Sequence, residues 1–192
     1  PGFNGWGGKY RMAGDESIGA KLAQDAGLPL VEPDWVLEGG AIDTDGEGTV
    51  LTTEQCLLNT NRNPGLGREE IETRLARDLG LHRVIWLGDG LLNDHTDGHV
   101  DNLARFVAPG TVALAEPFGE DDANADVYAD AKRRLEAAGL KVAPIPSPGR
   151  ISRGPFVEPA SYANFLIANS IVAVDIHSGE YRWHFQTIHH DL

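Results

Sequence analysis

Cysteine is almost absent from this chain: Cys56 is the one thiol in 192 residues. A single cysteine excludes an internal disulfide framework and fits a reducing compartment. Basic residues are also scarce, with 16 Lys and Arg against 29 Asp and Glu and a formal net charge of −13. That balance repels nucleic acid and acidic membranes and draws in small cations. Long apolar runs are missing, since none approaches the ~20 residues needed to cross a bilayer. No signal-peptide pattern is visible. A hydrophobic share of 41% nevertheless excludes a disordered chain. The length suits one sizeable core or part of a larger domain, and the sequence opens on Pro1 rather than Met, so this is not expected to be a natural start.

Apolar spacing predicts three amphipathic helices. The first runs from Asp15 to Ala26, with Ile18, Leu22 and Ala26 as its stripe and Asp15 as its N-cap. The second spans Arg68 to Leu79 on Ile71, Leu75 and Leu79, with Glu69 and Glu70 in the favourable first turn. The third spans Asp122 to Ala138 on Val127, Ala131, Leu135 and Ala138. Each ends in the same punctuation, Ala26-Gly27-Leu28, Leu79-Gly80-Leu81 and Ala138-Gly139-Leu140, where glycine can close a helix in the left-handed conformation. A short strand is expected after each stop, at Leu28–Val31, Val84–Leu87 and Val142–Ile145. Further strands are expected at 35–37, 49–53, 106–107, 111–115 and 162–168. A unit recurring roughly every 55 residues points to modules about an axis. An ordinary layered α/β domain accounts for the same pattern.

The turns are legible too. Asp45-Gly46 and Glu47-Gly48, between Ile42 and Thr49, mark a hairpin. Gly5-Trp6-Gly7-Gly8 reads as a tight loop with close backbone approach, not a phosphate loop, because no Gly-Lys-Ser/Thr follows it. Pro144, Pro146, Pro148 and Pro155 predict a rigid extended connector over 144–159.

Chemistry concentrates in Asp94-His95-Thr96-Asp97-Gly98-His99-Val100-Asp101-Asn102, three carboxylates and two imidazoles with a glycine before the second histidine. His99 and Asp101 lie two apart and share a side of an extended segment. A carboxylate beside a histidine orients it for general acid–base work. Asp94 and Asp97 are placed to brace the turn. A metal site is the rival reading, weakened by the lack of familiar ligand spacing. Glu38 sits between an apolar run and Gly39-Gly40, where burial demands a cationic partner: a substrate, or a structural arginine. Cys56, in the apolar setting Gln55-Cys56-Leu57-Leu58, reads as a small buried hydrophobe with no basic residue near in sequence to lower its pKa.

Five segments together carry a resemblance: Phe3-Asn4-Gly5-Trp6-Gly7-Gly8-Lys9-Tyr10, Leu37-Glu38-Gly39-Gly40-Ala41-Ile42, Asn59-Thr60-Asn61-Arg62-Asn63-Pro64, Asp97–Asn102 and Ser161–Asn169. Over residues 1–170 the chain resembles the agmatine deiminases, which are similar to the Porphyromonas-type peptidylarginine deiminases of the pentein superfamily. The resemblance implies an α/β fold, here part of a five-bladed α/β propeller of ββαβ modules. It also implies a covalent cysteine mechanism that converts agmatine and water to N-carbamoylputrescine and ammonia, in the making of putrescine. Glu38 and Asp101 match guanidinium-binding carboxylates and His99 matches the proton-transferring histidine. His95, on the substrate-binding side, stands where the family is commonly acidic. No cofactor and no metal are implied. The expected partner is a small cationic guanidine, agmatine or alternatively peptidyl-arginine. The expected compartment is cytoplasmic, and homo-oligomerisation is left open.

The chain departs from that pattern. Nothing matches the Gly-rich segment of the family's nucleophilic cysteine, which should follow the His99 motif, whereas Cys56 precedes it. A second carboxylate segment, Arg-Asp-x-Gly-Pro, would lie upstream of Pro1. Residues 171–192, including Arg182-Trp183 and His189-His190-Asp191, resemble one blade of the quinoprotein glucose dehydrogenases, which places a junction near Ser170–Ile171. The 192 residues alone are therefore expected to be inactive. They are read as part of a deiminase, with a non-catalytic guanidinium-binding or polyamine-binding remnant and a quinoprotein fragment as alternatives.

Overall fold

The computed structural model describes residues 2–11, 13–165, 170–174 and 181–186. Its organisation starts from one turn. Asp45 Oδ1 accepts from the backbone N–H of Glu47 at 2.8 Å and of Thr49 at 3.0 Å. That closure returns β1 (Ile42–Thr44) antiparallel as β2 (Thr49–Thr53), the hairpin the sequence predicts. Helix α2 (Arg68–Leu79) then crosses over, and β3 (Arg83–Leu87) lies parallel to β2, from Thr49 opposite Arg83 to Thr53 opposite Leu87. The same steps recur downstream. β4 (Ala104–Ala108) pairs antiparallel with β5 (Thr111–Glu116), α3 (Ala125–Ala137) crosses over, and β6 (Lys141–Pro146) lies parallel to β5. The described residues thus hold two complete ββαβ units of identical strand order.

Helix α1 (Asp15–Asp25) precedes them and differs from expectation. Gly14, not Asp15, caps it, and none of its residues is buried: Ile18 is 52% and Leu22 60% exposed. The run after it, Leu28–Val31, forms no strand, because no described strand lies alongside to pair with it. The 35–37 run contributes only a bridge from Val36 to Gly2. All three stop glycines are left-handed, with φ of 66° at Gly27, 71° at Gly80 and 77° at Gly139. In α2, Ile71 and Leu75 are buried while Leu79 is exposed; in α3, Tyr128 joins Ala131 and Leu135 in the core.

The proline-rich connector was expected to begin at Pro144, but β6 runs through to Pro146. As the edge strand of its sheet it can lack N–H groups without breaking a ladder. Residues 162–165 lie outside any strand, and 166–168 lie outside the described residues. Ser170–Val174 (β9) pairs antiparallel with Tyr181–Gln186 (β10), after a short pair of Ser152–Arg153 (β7) and Phe156–Val157 (β8). His189-His190-Asp191 falls outside the described residues.

Both faces of the first sheet are covered. Leu51, Ile85 and Leu87 pack into a core shared with Leu103, Phe106, Leu114 and Leu135 of the second unit. Val50 and Trp86 face the other way, onto Ile71, Leu75, Trp35 and Cys56. β2 is therefore buried along its whole length, and its threonines must find partners inside. Thr52 Oγ1 donates to Ala41 O at 2.8 Å and Thr53 Oγ1 to Gly98 O at 2.6 Å. The second of these ties the core strand to the polar cluster. Among the described residues no helix is long and apolar enough to cross a membrane.

Candidate active site

The cluster emerges where β3 ends, at the carboxyl edge of a parallel strand pair, the usual place for a ligand site in an α/β sheet. Residues 94–99 form a turn built from their own side chains. Asp94 Oδ1 accepts from Thr96 N–H at 3.0 Å, Asp94 Oδ2 accepts from Asn102 at 3.3 Å, and His99 N–H donates to Thr96 Oγ1 at 3.2 Å. Asn93 and Asp97 are left-handed, at φ 63° and 59°, a strain that neighbouring contacts must hold. Asp97 is held by Lys9, Asn61 and Arg62. Gly98, at φ 82°, has no room for a side chain: a Cβ there would come within 2.3 Å of Gln55 Oε1 and 2.9 Å of Gly90 N.

His99 and Asp101 do face one cavity, but not by strand alternation. Val100–Asn102 is a 3₁₀ turn. Its tightness brings His99 Nδ1 and Asp101 Oδ2 each to within 2.5 Å of where a Cβ on Gly40 would stand, so glycine at 40 is required by space. The carboxylate bonded to His99 is not the sequence neighbour Asp101. It is Glu38, 61 positions away, whose Oε2 lies 3.1 Å from His99 Nε2. Glu38 reaches the site because it precedes β1, whose antiparallel pairing sets Ile42 opposite Thr52 near the carboxyl end of β2.

The cavity, about 630 Å³, is lined by Glu38, His95, His99, Asp101 and Asn164, with Phe3 and Trp6 on one wall. His95 is half exposed, edge-on to Trp6 at 5.7 Å and to Tyr10 at 6.0 Å between ring centres. Asn164 is 3.3 Å from both Asp101 Oδ2 and Asn102 Oδ1. Arg105 holds that segment through Phe165 O at 2.7 Å while pairing with Asp43. Asp101 Oδ1 is buried and receives no hydrogen bond. Burial pushes the Asp101 carboxyl up, opposed by the nearby charges of His99 and Arg105.

Two parts of the site were not read from sequence as functional. Arg62 is fully buried as a side chain and donates through Nε to both Glu38 oxygens, at 3.0 and 3.2 Å. Glu38 therefore has the structural arginine that was one of its two readings, and still faces the cavity. Cys56 is buried as expected, but it is also part of this cluster, with Sγ 3.9 Å from Glu38 Oε2. Burial pushes its thiol up to about 12, against the pull of Arg62, a basic neighbour that only the fold supplies. Glu38, Cys56 and His99 offer an oxygen, a sulfur and a nitrogen within 4.8 Å of one another. A dication there would have to displace a buried guanidinium from the same carboxylate, so the arrangement favours the ion pair.

Residues 1–181 match the profile of a family described as Porphyromonas-type peptidyl-arginine deiminase. The agmatine deiminase of Ectopseudomonas mendocina is 42% identical, over 87% of this chain and 54% of that protein. The agmatine deiminase of Pseudomonas aeruginosa is 41% identical over 88% of this chain and 54% of its own length. Among solved structures, a cysteine-to-serine variant of C. jejuni agmatine deiminase with substrate bound superposes with a TM-score of 0.81 at 37% identity, over 88% of this chain and 52% of that one. The agmatine deiminase of Enterococcus faecalis gives 0.80 at 36% identity, over 88% and 54%. The chain thus spans about half the length of these relatives.

Proposed function

The chain belongs to the Porphyromonas-type peptidyl-arginine deiminase family, and from that premise we propose that its cavity binds the guanidinium group of agmatine. The observation that carries this is a pair of carboxylates, Glu38 and Asp101, lining one cavity, the second with its Oδ1 buried and without a donor. A guanidinium supplies planar N–H donors in the geometry a carboxylate pair accepts. The net charge of −13 favours the encounter.

In the whole enzyme the reading is hydrolysis of agmatine to N-carbamoylputrescine and ammonia. A thiolate attacks the guanidinium carbon, and His99 gives a proton to the departing ammonia. A water deprotonated by His99 then displaces the sulfur, with Glu38 steadying the imidazole through its Nε2. Cys56 does not suit the attack: it is fully buried and its thiol is pushed up to about 12. On this reading the nucleophile belongs to a further unit of a five-bladed α/β propeller. The body up to about residue 170 carries the site, and the 192 residues alone bind guanidinium without turnover. A cytoplasmic setting and self-association accompany the same reading.

Titration calorimetry tests it. Agmatine should release heat with the 192-residue chain, putrescine (the same four-carbon amine with an ammonium in place of the guanidinium) should bind more weakly, and Asp101→Asn should remove the difference. A blocked arginine peptide that binds while agmatine does not moves the substrate to peptidyl-arginine. No heat with millimolar agmatine or peptide ends the guanidinium reading.

A further inference from the structure

Arg62 has an unusual load. Its side chain is fully buried, and its donors reach two distant segments and its own neighbour Asn61. Nε serves Glu38, Nη1 serves Asp97 and Asn61, and Nη2 donates to Thr96 O at 2.6 Å. Lysine could not span this set, because a single ammonium lacks the planar fork. Glu38 lies just before β1, and Thr96 and Asp97 lie in the turn that delivers His99. One guanidinium therefore fixes the separation between the carboxylate and the turn that carries its imidazole partner.

We infer that Arg62 is a positioning residue: it holds the Glu38 carboxylate and the 94–99 turn in register, so that Glu38 Oε2 meets His99 Nε2. Arg62 shares no hydrogen bond with His99 in this arrangement; it acts through Glu38 on one side and Thr96 and Asp97 on the other. The groups facing the pair are Cys56 from the turn after β2, Asp101 from the 3₁₀ turn and Asp94 from the same loop. None of them replaces Arg62, because none donates to Glu38 and the loop together. The inference rests on the reading of Glu38 and His99 as a working pair, but its test needs no substrate.

The test is nitrogen NMR on the 192-residue chain at fixed pH, observing the His99 ring nitrogens and the Arg62 Nε–H. Glu38→Gln should displace both the His99 Nε2 and the Arg62 Nε–H resonances. Arg62→Met should move His99 Nε2 toward its position in Glu38→Gln, and Arg62→Lys should move it in the same direction. Leu135→Ala, in the core on the opposite face of the first sheet from Cys56, should leave it in place. A folded Arg62 variant with a native His99 resonance overturns the inference. If both Arg62 variants fail to fold, the reciprocal arm decides: His99→Gln must shift the Arg62 Nε–H resonance, and an unmoved resonance overturns the inference. Failure of agmatine to bind bears on the proposed function and leaves this result standing.

Discussion

Gly98 and Gly139 form a matched pair for substitution. Their φ angles are 82° and 77°, so alanine at either meets a similar left-handed penalty of about 1 kcal/mol. Space separates them. Nothing lies within 4 Å of a Cβ built on Gly139, whereas at Gly98 that atom would meet Gln55 Oε1 at 2.3 Å and Gly90 N at 2.9 Å. Gln55 cannot swing aside freely, because its Oε1 accepts from Gly90 N–H at 2.8 Å. The Gly98 carbonyl is likewise fixed by Thr53 Oγ1. Crowding adds about 1–3 kcal/mol and a broken buried hydrogen bond about 1–3 more. Gly139→Ala should therefore cost about 1 kcal/mol and Gly98→Ala about 5. At about 3 °C per kcal/mol for a chain of this length, calorimetry should read melting points lower by about 3 °C and about 15 °C. Agmatine titration at a temperature where both variants are folded should find binding kept in Gly139→Ala and lost in Gly98→Ala. Equal drops in melting temperature would refute the crowding argument. Native affinity in Gly98→Ala would refute the role given to the 94–99 turn.

Three further outcomes are expected. Asp101→Asn should stabilise the chain at pH 7, because the folded state raises this carboxyl above its ordinary 3.8 and so disfavours its charge. The sign follows from proton binding: between 3.8 and the raised value the folded chain holds the extra proton, so native stability falls as pH rises, and the variant's advantage should vanish below about pH 4 in thermal melts. Cys56, buried and pushed up to about 12, should react with a thiol reagent at pH 8 only as fast as the chain opens; labelling as rapid as a free thiol's, without denaturant, would contradict its placement. Leu75→Ala should cost about 2–5 kcal/mol in urea titration while Leu22→Ala, 60% exposed, stays within about 0.5; comparable losses would mean that α1 has a buried face.

Local chemistry makes much of this fold legible in its sequence. The helix over 68–79, the Asp45–Gly48 hairpin and the three left-handed glycines each depend on neighbours a few residues away, where spacing and turn preferences act. Failures came where a partner at long range decides. Leu28–Val31 has strand composition but no described strand beside it. Pro144 looks like a strand breaker, yet sits on an edge where its missing N–H costs nothing. At the site, Glu38, His99 and Asp101 stood out as charged or titratable residues in apolar or glycine-rich settings. The pairing was not readable: sequence proximity offers Asp101 to His99, and the sheet delivers Glu38 instead. Arg62 was invisible in that role because nothing local distinguishes one arginine in a polar run from another. Only burial between two distant segments does.

The cavity belongs to no single ββαβ unit. Glu38 arrives before the first unit, His99 and Asp101 come from the linker between the two, and Pro159 and Asn164 follow the second. The site is a seam, so its integrity reports how the units are seated against each other rather than whether each is folded. In mild denaturant, ligand binding should fade while helical signal persists, since a seam opens when its flanks shift by an ångström and a helix does not. A recombined chain that borrows either unit from a cousin would have to rematch the shared core and would also lose its affinity, unless the linker and both flanks travelled together.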